Sequence, residues 1–139
     1  MFDQSVQKDW TGGTQGVMAT LNASGHSAFE RSEHDYYATP DKAVLELMRI
    51  ETFSGPIWEC ACGELAITKA ITDTHDIAVR SSDIISRAGN EVFDFLSIEN
   101  QHWNGDIVTN PPFAKATEFL EKALSIVPHG RKIALFLRI

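Results

Sequence analysis

The chain is short of cysteine, of long apolar runs and of positive charge. Only two of its 139 residues are cysteine, Cys60 and Cys62, with one residue between them. That spacing suits neither a disulfide nor the usual zinc pairs, which keep two or more residues between ligands. No apolar run nears the ~20 residues that cross a bilayer. The opening residues show no basic-then-apolar leader pattern. A cytoplasmic chain with no membrane partner is expected. His26, His34, His75, His102 and His129 are scattered without metal-ligand spacing, and no Ser-His-Asp order is evident. No metal site is expected. Twelve basic residues stand against nineteen acidic ones, a net charge of −7. That balance argues against tight binding to a polyanion by the surface as a whole, although a local basic patch can coexist with it.

What is present fits one domain with a single core. Residues 1–35 are polar, with Gly12-Gly13, Gly16 and Gly25 among Ser, Thr, Asn and charged residues. They read as an extended or partly disordered arm, with Trp10 and Phe29 placed to pin it. Residues 36–139 form the folded domain. Thr39-Pro40-Asp41 reads as a helix start, Thr39 as N-cap and Pro40 at the first helical position. Apolar strands are then expected at Ile57–Cys62, Ile77–Ser81, Val92–Leu96, Ile107–Thr109 and Lys132–Leu137. Helices are expected at Leu65–Thr72 and Ala114–Ile126. Buried strands interleaved with helices predict an α/β fold, with a parallel sheet covered on both faces.

One segment stands out. The apolar run Asp106-Ile107-Val108-Thr109 stops at Asn110-Pro111-Pro112-Phe113. Proline fixes φ, has no N–H and bars the preceding residue from helix. The result is a stiff loop at a strand mouth that offers an amide, backbone carbonyls and an aromatic ring together. That set can hold a planar base, with acceptors for an exocyclic amine and a ring to stack on. Glu59-Cys60-Ala61-Cys62-Gly63 ends the first strand, and a glycine there lets backbone approach a ligand closely. Asp83 follows 20 residues after Gly63, where a carboxylate can accept ribose hydroxyls. Asp94-Phe95 follows at the end of the third strand.

In this order the motifs resemble those of the S-adenosylmethionine-dependent amino-methyltransferases, above all the phage- and prophage-type DNA adenine-N6 methyltransferases. Asn110-Pro111-Pro112-Phe113 is similar to their Asp/Asn-Pro-Pro-aromatic signature. Glu59-Cys60-Ala61-Cys62-Gly63 is similar to their glycine-rich motif, with Leu65 standing where a second glycine is usual. His34-Asp35-Tyr36-Tyr37-Ala38-Thr39-Pro40 resembles the turn that covers the methionine end of the cofactor. The resemblance implies a Rossmann-like doubly wound sheet of the class I methyltransferase type. It implies S-adenosylmethionine held by Tyr37, Thr39, Pro40, Glu59, Ala61, Gly63, Asp83, Asp94, Phe95 and Asn110. It implies catalysis by Asn110, Pro111, Pro112 and Phe113 on adenine in DNA, in the cytoplasm of a bacterium or a phage-infected host. Adenine in RNA or a glutamine amide in protein poses the same chemical problem and remains an alternative. A non-catalytic cofactor-binding or interaction fragment is another, favoured by Leu65 and the acidic charge. Against the family's seven strands, only about five are expected here, with C-terminal strands missing. The edge of Lys132–Leu137 would then be open to a homodimer, and the 139-residue form inactive on DNA by itself.

Overall fold

The structure is a computed structural model and describes residues 37–138. The expected 1–35 arm, with Trp10 and Phe29, lies outside the described residues, as do His34, Asp35 and Tyr36.

The first helix, α1 (Asp41–Ile50), starts one residue later than the sequence suggests. Pro40 itself is the N-cap, with φ −64° and ψ 140°. The ring fixes that φ, which leaves the Thr39 side chain to turn elsewhere. Val44 and Met48 are its buried stripe, four residues apart on one helix face. The remaining elements are β1 (Ile57–Glu59), α2 (Ala66–Thr74), β2 (Val79–Asp83), β3 (Glu91–Val92), β4 (Asp106–Thr109), α3 (Ala116–Ile126) and β5 (Ile133–Leu135). Two short 3-10 turns, Phe95–Ser97 and Phe113–Lys115, complete them.

All five strands run parallel, in the order β3-β2-β1-β4-β5. The chain moves outward from β1 to β3, then crosses back to β4 on the other side of β1. In open parallel sheets ligands sit outside the C-terminal strand ends where this reversal occurs. Here that place lies between β1 and β4. The architecture is α/β and compatible with a Rossmann-like fold.

Alternate residues of the strands feed two cores. Ile57 and Val108 join Val44, Met48, Ile67 and Ile71 beneath α1 and α2. Trp58 and Ile107 join Phe95, Phe119, Ala123 and Ile126 beneath α3. Helices therefore lie on both faces of the sheet. In the second core, Trp58 meets Phe95 edge-on at 5.2 Å, and Phe95 stacks on Phe119 at 5.2 Å. Such rings each contribute about 1.5–3 kcal/mol on burial.

The third strand is much shorter than its apolar run predicts. Only Glu91 and Val92 pair with β2. Asp94 then caps the Phe95–Ser97 turn by accepting from Leu96 N–H at 3.0 Å and from the Ser97 hydroxyl at 2.9 Å. Among the described residues no α-helix follows β2 or β3. Instead the Arg80 guanidinium lies 4.1 Å from the Trp58 ring centroid and 5.5 Å from that of Phe93. Glu91 holds it there through two hydrogen bonds, at 2.9 and 3.1 Å. No helix among the described residues is long and apolar enough to cross a membrane.

Candidate functional site

Because every strand is parallel, the ends of β1, β2, β3 and β4 open on the same edge. Glu59, Gly63, Asp83, Asp94 and Asn110 are brought to that edge from four strands. The turn after β1 is tied to both neighbours. Gly63 N–H donates to Asp83 Oδ2 at 2.8 Å, and Ala61 N–H donates to Thr109 Oγ1 at 3.1 Å. Asp83 Oδ1 accepts from Ile85 N–H at 3.1 Å, so one buried carboxylate clamps two loops. Gly63 has φ 52°, and Leu65 has φ 71°. The backbone thus adopts the glycine-like conformation at position 65 although a leucine stands there, at a cost of about 1–2 kcal/mol.

Asn110 is fixed from the other side. Its Nδ2 donates to Tyr37 O at 2.8 Å and to Thr39 Oγ1 at 2.9 Å. A carbonyl can only accept, so the atom facing Tyr37 O is the amide nitrogen. Both donors are thereby used, and Oδ1 makes no hydrogen bond among the described residues. Thr39, buried and freed from capping, serves this contact. Pro111 and Pro112 are buried behind it. Phe113 stacks on Tyr37 with centroids 5.1 Å apart and planes 25° apart, giving a two-ring platform beside the amide.

Tyr37, Thr39, Glu59, Ala61, Cys62, Ala66 and Asn110 line one cavity at this edge. Five of these are residues the sequence nominates for the cofactor. The cavity is about 10 Å³, room for one water molecule. A larger one, about 310 Å³, lies between His102–Asn104 and Ser125–Pro128. It sits before β4 and after α3, at the opposite end of the sheet, and collects no carboxylate.

The other nominated residues fall elsewhere. Pro40 is exposed at the α1 terminus, and Asp94 is engaged with its own turn. Phe95 is fully buried between Trp58 and Phe119, so its ring reaches no surface. Two contributors have no signal in the sequence. One is Thr109, whose hydroxyl holds the Ala61 turn. The other is Arg138, whose Cζ lies 5.2 Å from the Tyr37 centroid and 5.6 Å from that of Phe113.

Compared with known proteins, the chain matches no family model and no curated sequence. The reading of this edge therefore rests on its own chemistry. Among the described residues no group of His, Cys, Asp and Glu is placed to hold a metal ion. Burial pushes the Cys60 and Cys62 thiols well above their ordinary range, so neither is a ready nucleophile.

Glu59 is the unusual titrating group. Burial raises its carboxyl to about 8, against hydrogen bonds from Thr68 N–H at 3.0 Å and the Thr68 hydroxyl. A folded-state value above the ordinary 4.5 means that the folded chain holds this proton more tightly than the unfolded one. The contribution to stability is complete below about 4.5 and is lost as pH rises through about 8. Glu59→Gln should flatten that decline, as read from urea midpoints across the interval. Parallel wild-type and variant profiles would remove Glu59 as its source.

Proposed function

We propose that this domain transfers a methyl group from S-adenosylmethionine to the N6 amine of adenine in DNA, as a class I-type methyltransferase. The observation that carries the reading is the fixed amide of Asn110. Its nitrogen is spent on Tyr37 and Thr39, and its oxygen is left as an acceptor where the strand order reverses.

An adenine amine is a poor nucleophile because its lone pair is delocalised into the ring. Asn110 Oδ1 and the Pro111 carbonyl accept the two N6–H groups, which draws the nitrogen towards sp³ and frees its lone pair. Both acceptors are held before the base arrives, so little reorganisation remains at the moment of reaction. The Tyr37–Phe113 platform offers the stacking surface that an extruded base needs. When bound, S-adenosylmethionine would supply an electrophilic methyl group on a sulfonium centre, the carbon–sulfur bond breaking to a neutral thioether as the nitrogen–carbon bond forms. The proton that N6 then loses would pass to solvent, with Asn110 Oδ1 and the Pro111 carbonyl only accepting its hydrogen bond. The donor set around the small cavity suits its amino-acid end: the Glu59 carboxyl, the Thr39 hydroxyl and the backbone turn at Gly63. The cavity has space for one water, so this reading requires the cleft between the Thr39 turn and β1 to open on binding.

That same small space supports a second reading, a non-catalytic interaction fragment. Label transfer from S-adenosylmethionine separates the two. The first reading expects label on adenine N6 of unmethylated DNA. Label on glutamine of a protein substrate instead would move the acceptor to the amide class, and no label on either together with no saturable binding of S-adenosylmethionine would favour the fragment.

The partner reading includes a second copy of this chain. Among the described residues β5 forms one edge of the sheet, and the neighbouring Leu137 is 54% exposed. Such an edge is a template for pairing. Sedimentation at about 10–100 μM should show a dimer, the range in which weak association of this kind appears. A clean monomer there would remove the homodimer.

A further inference from the structure

We propose that Arg138 is a phosphate contact for the strand that delivers its base to Asn110, an inference that rests on the reading above and fixes its acceptor as a nucleic acid. Phe136 N–H donates to Thr109 O at 2.9 Å, which carries the β4–β5 pairing up to the residue before Asn110. The chain beyond β5 is therefore laid alongside the Asn110–Phe113 loop. Arg138 ends over both rings of the platform, within the ~6 Å at which a cation is attracted to an aromatic face.

That contact places the guanidinium without using any of its five N–H donors. Arg138 is exposed and makes no hydrogen bond or ion pair among the described residues. Several other cations are engaged, whereas the Lys42 and Lys69 side chains, out on α1 and α2, make no ion pair or hydrogen bond among the described residues. Arg49 pairs with Glu46, Arg80 with Glu91 and Lys132 with Glu51. Arg131 bonds Ser54 and Asn104. In a chain with nineteen carboxylates, a guanidinium left without one beside the acceptor amide is a vacancy for an external anion. The Lys115 ammonium, two residues past Phe113, likewise makes no ion pair or hydrogen bond among the described residues, its backbone N–H alone donating to Pro112 O at 2.9 Å. A planar guanidinium binds phosphate through paired N–H donors. A glutamine-bearing peptide brings no such group.

The test is binding of a short, labelled, adenine-containing DNA strand by the 139-residue chain, followed by anisotropy between about 50 and 200 mM salt. Arg138→Ala should weaken binding by about 5- to 30-fold. It should also reduce the slope of log K against log salt by about 0.7, the share of one phosphate on a single strand. Arg138→Lys should restore most of the slope, because the charge is kept, but only part of the affinity. Lys115→Ala should lower the slope by a similar step. An unchanged slope and affinity in Arg138→Ala, with wild-type thermal stability, would overturn the inference, as would absence of binding by the wild type. The two readings fail separately. Arg138-dependent binding without methyl transfer keeps the phosphate contact and removes the methyltransferase. Transfer that is indifferent to Arg138 does the reverse.

Discussion

Replacing Asn110 by alanine should lower methyl transfer to adenine-containing DNA by at least 100- to 1,000-fold, the scale for loss of one preorganised donor or acceptor at a reacting group. Cofactor affinity should change only a few-fold, because Glu59, Ala61 and the Gly63 turn stay in place. Two hydrogen bonds to the Thr39 turn disappear with the amide, so stability should fall by about 1–2 kcal/mol. The separation between the two losses is the informative part. A variant that is folded, binds cofactor and cannot transfer places Asn110 on the acceptor. Full transfer by a folded Asn110→Ala chain would contradict the mechanism.

Asp83→Ala should produce the largest loss of stability. The residue is 3% exposed, and its carboxylate accepts from two backbone N–H groups, Gly63 and Ile85. Removing the carboxylate leaves the buried Gly63 N–H without it, at about 1–3 kcal/mol, and the half-buried Ile85 N–H at about 1 kcal/mol. A combined loss of about 2–4 kcal/mol corresponds to a fall in Tm of roughly 8–16 °C, at about 4 °C per kcal/mol for a domain of this size. Asp83→Asn keeps one acceptor oxygen and should fall between. Because Asp83 shapes the Gly63 turn, cofactor affinity should drop with stability. A Tm within about 2 °C of wild type would show that the clamp contributes little to the fold.

The sequence made the β-α-β frame legible because its punctuation is chemically strict. Pro111-Pro112 can only stop a strand, and Gly63 with Asp83 frames a crossover of fixed length whose two ends meet across neighbouring parallel strands. Their contact is a consequence of that frame, and the structure shows it as the Gly63–Asp83 hydrogen bond. Other features depend on competition that a linear pattern does not express. Val92–Leu96 is as apolar as a strand, yet Asp94 diverts it into a capped turn and the Phe95 ring is drawn into the core. Thr39 has the composition of an N-cap, but Pro40 takes that position and the hydroxyl serves Asn110. Leu65 breaks the glycine pattern in letters while keeping the left-handed backbone that the turn requires. Arg138 was illegible for a different reason. Its place over Tyr37 and Phe113 follows from the register of β5 against β4, which joins residues far apart in the chain.

The site also shows how electrostatics is divided along one sheet edge. Glu59 is buried, which raises its carboxyl to about 8, and Asp83 is held by backbone donors. Arg138 carries exposed positive charge beside the acceptor amide. The Glu59–Asp83 end of this edge is thereby polar and buried, whereas the end at Asn110 carries an exposed cation against an acidic whole. That asymmetry matches a buried methyl donor and a polyanionic acceptor.

Isothermal titration of S-adenosylmethionine into the 139-residue chain tests the central claim most directly, because every other step depends on that binding. Saturable one-to-one binding is expected, weakened in Asp83→Ala and nearly unchanged in Asn110→Ala. A folded chain that gives no saturable heat with S-adenosylmethionine would contradict it.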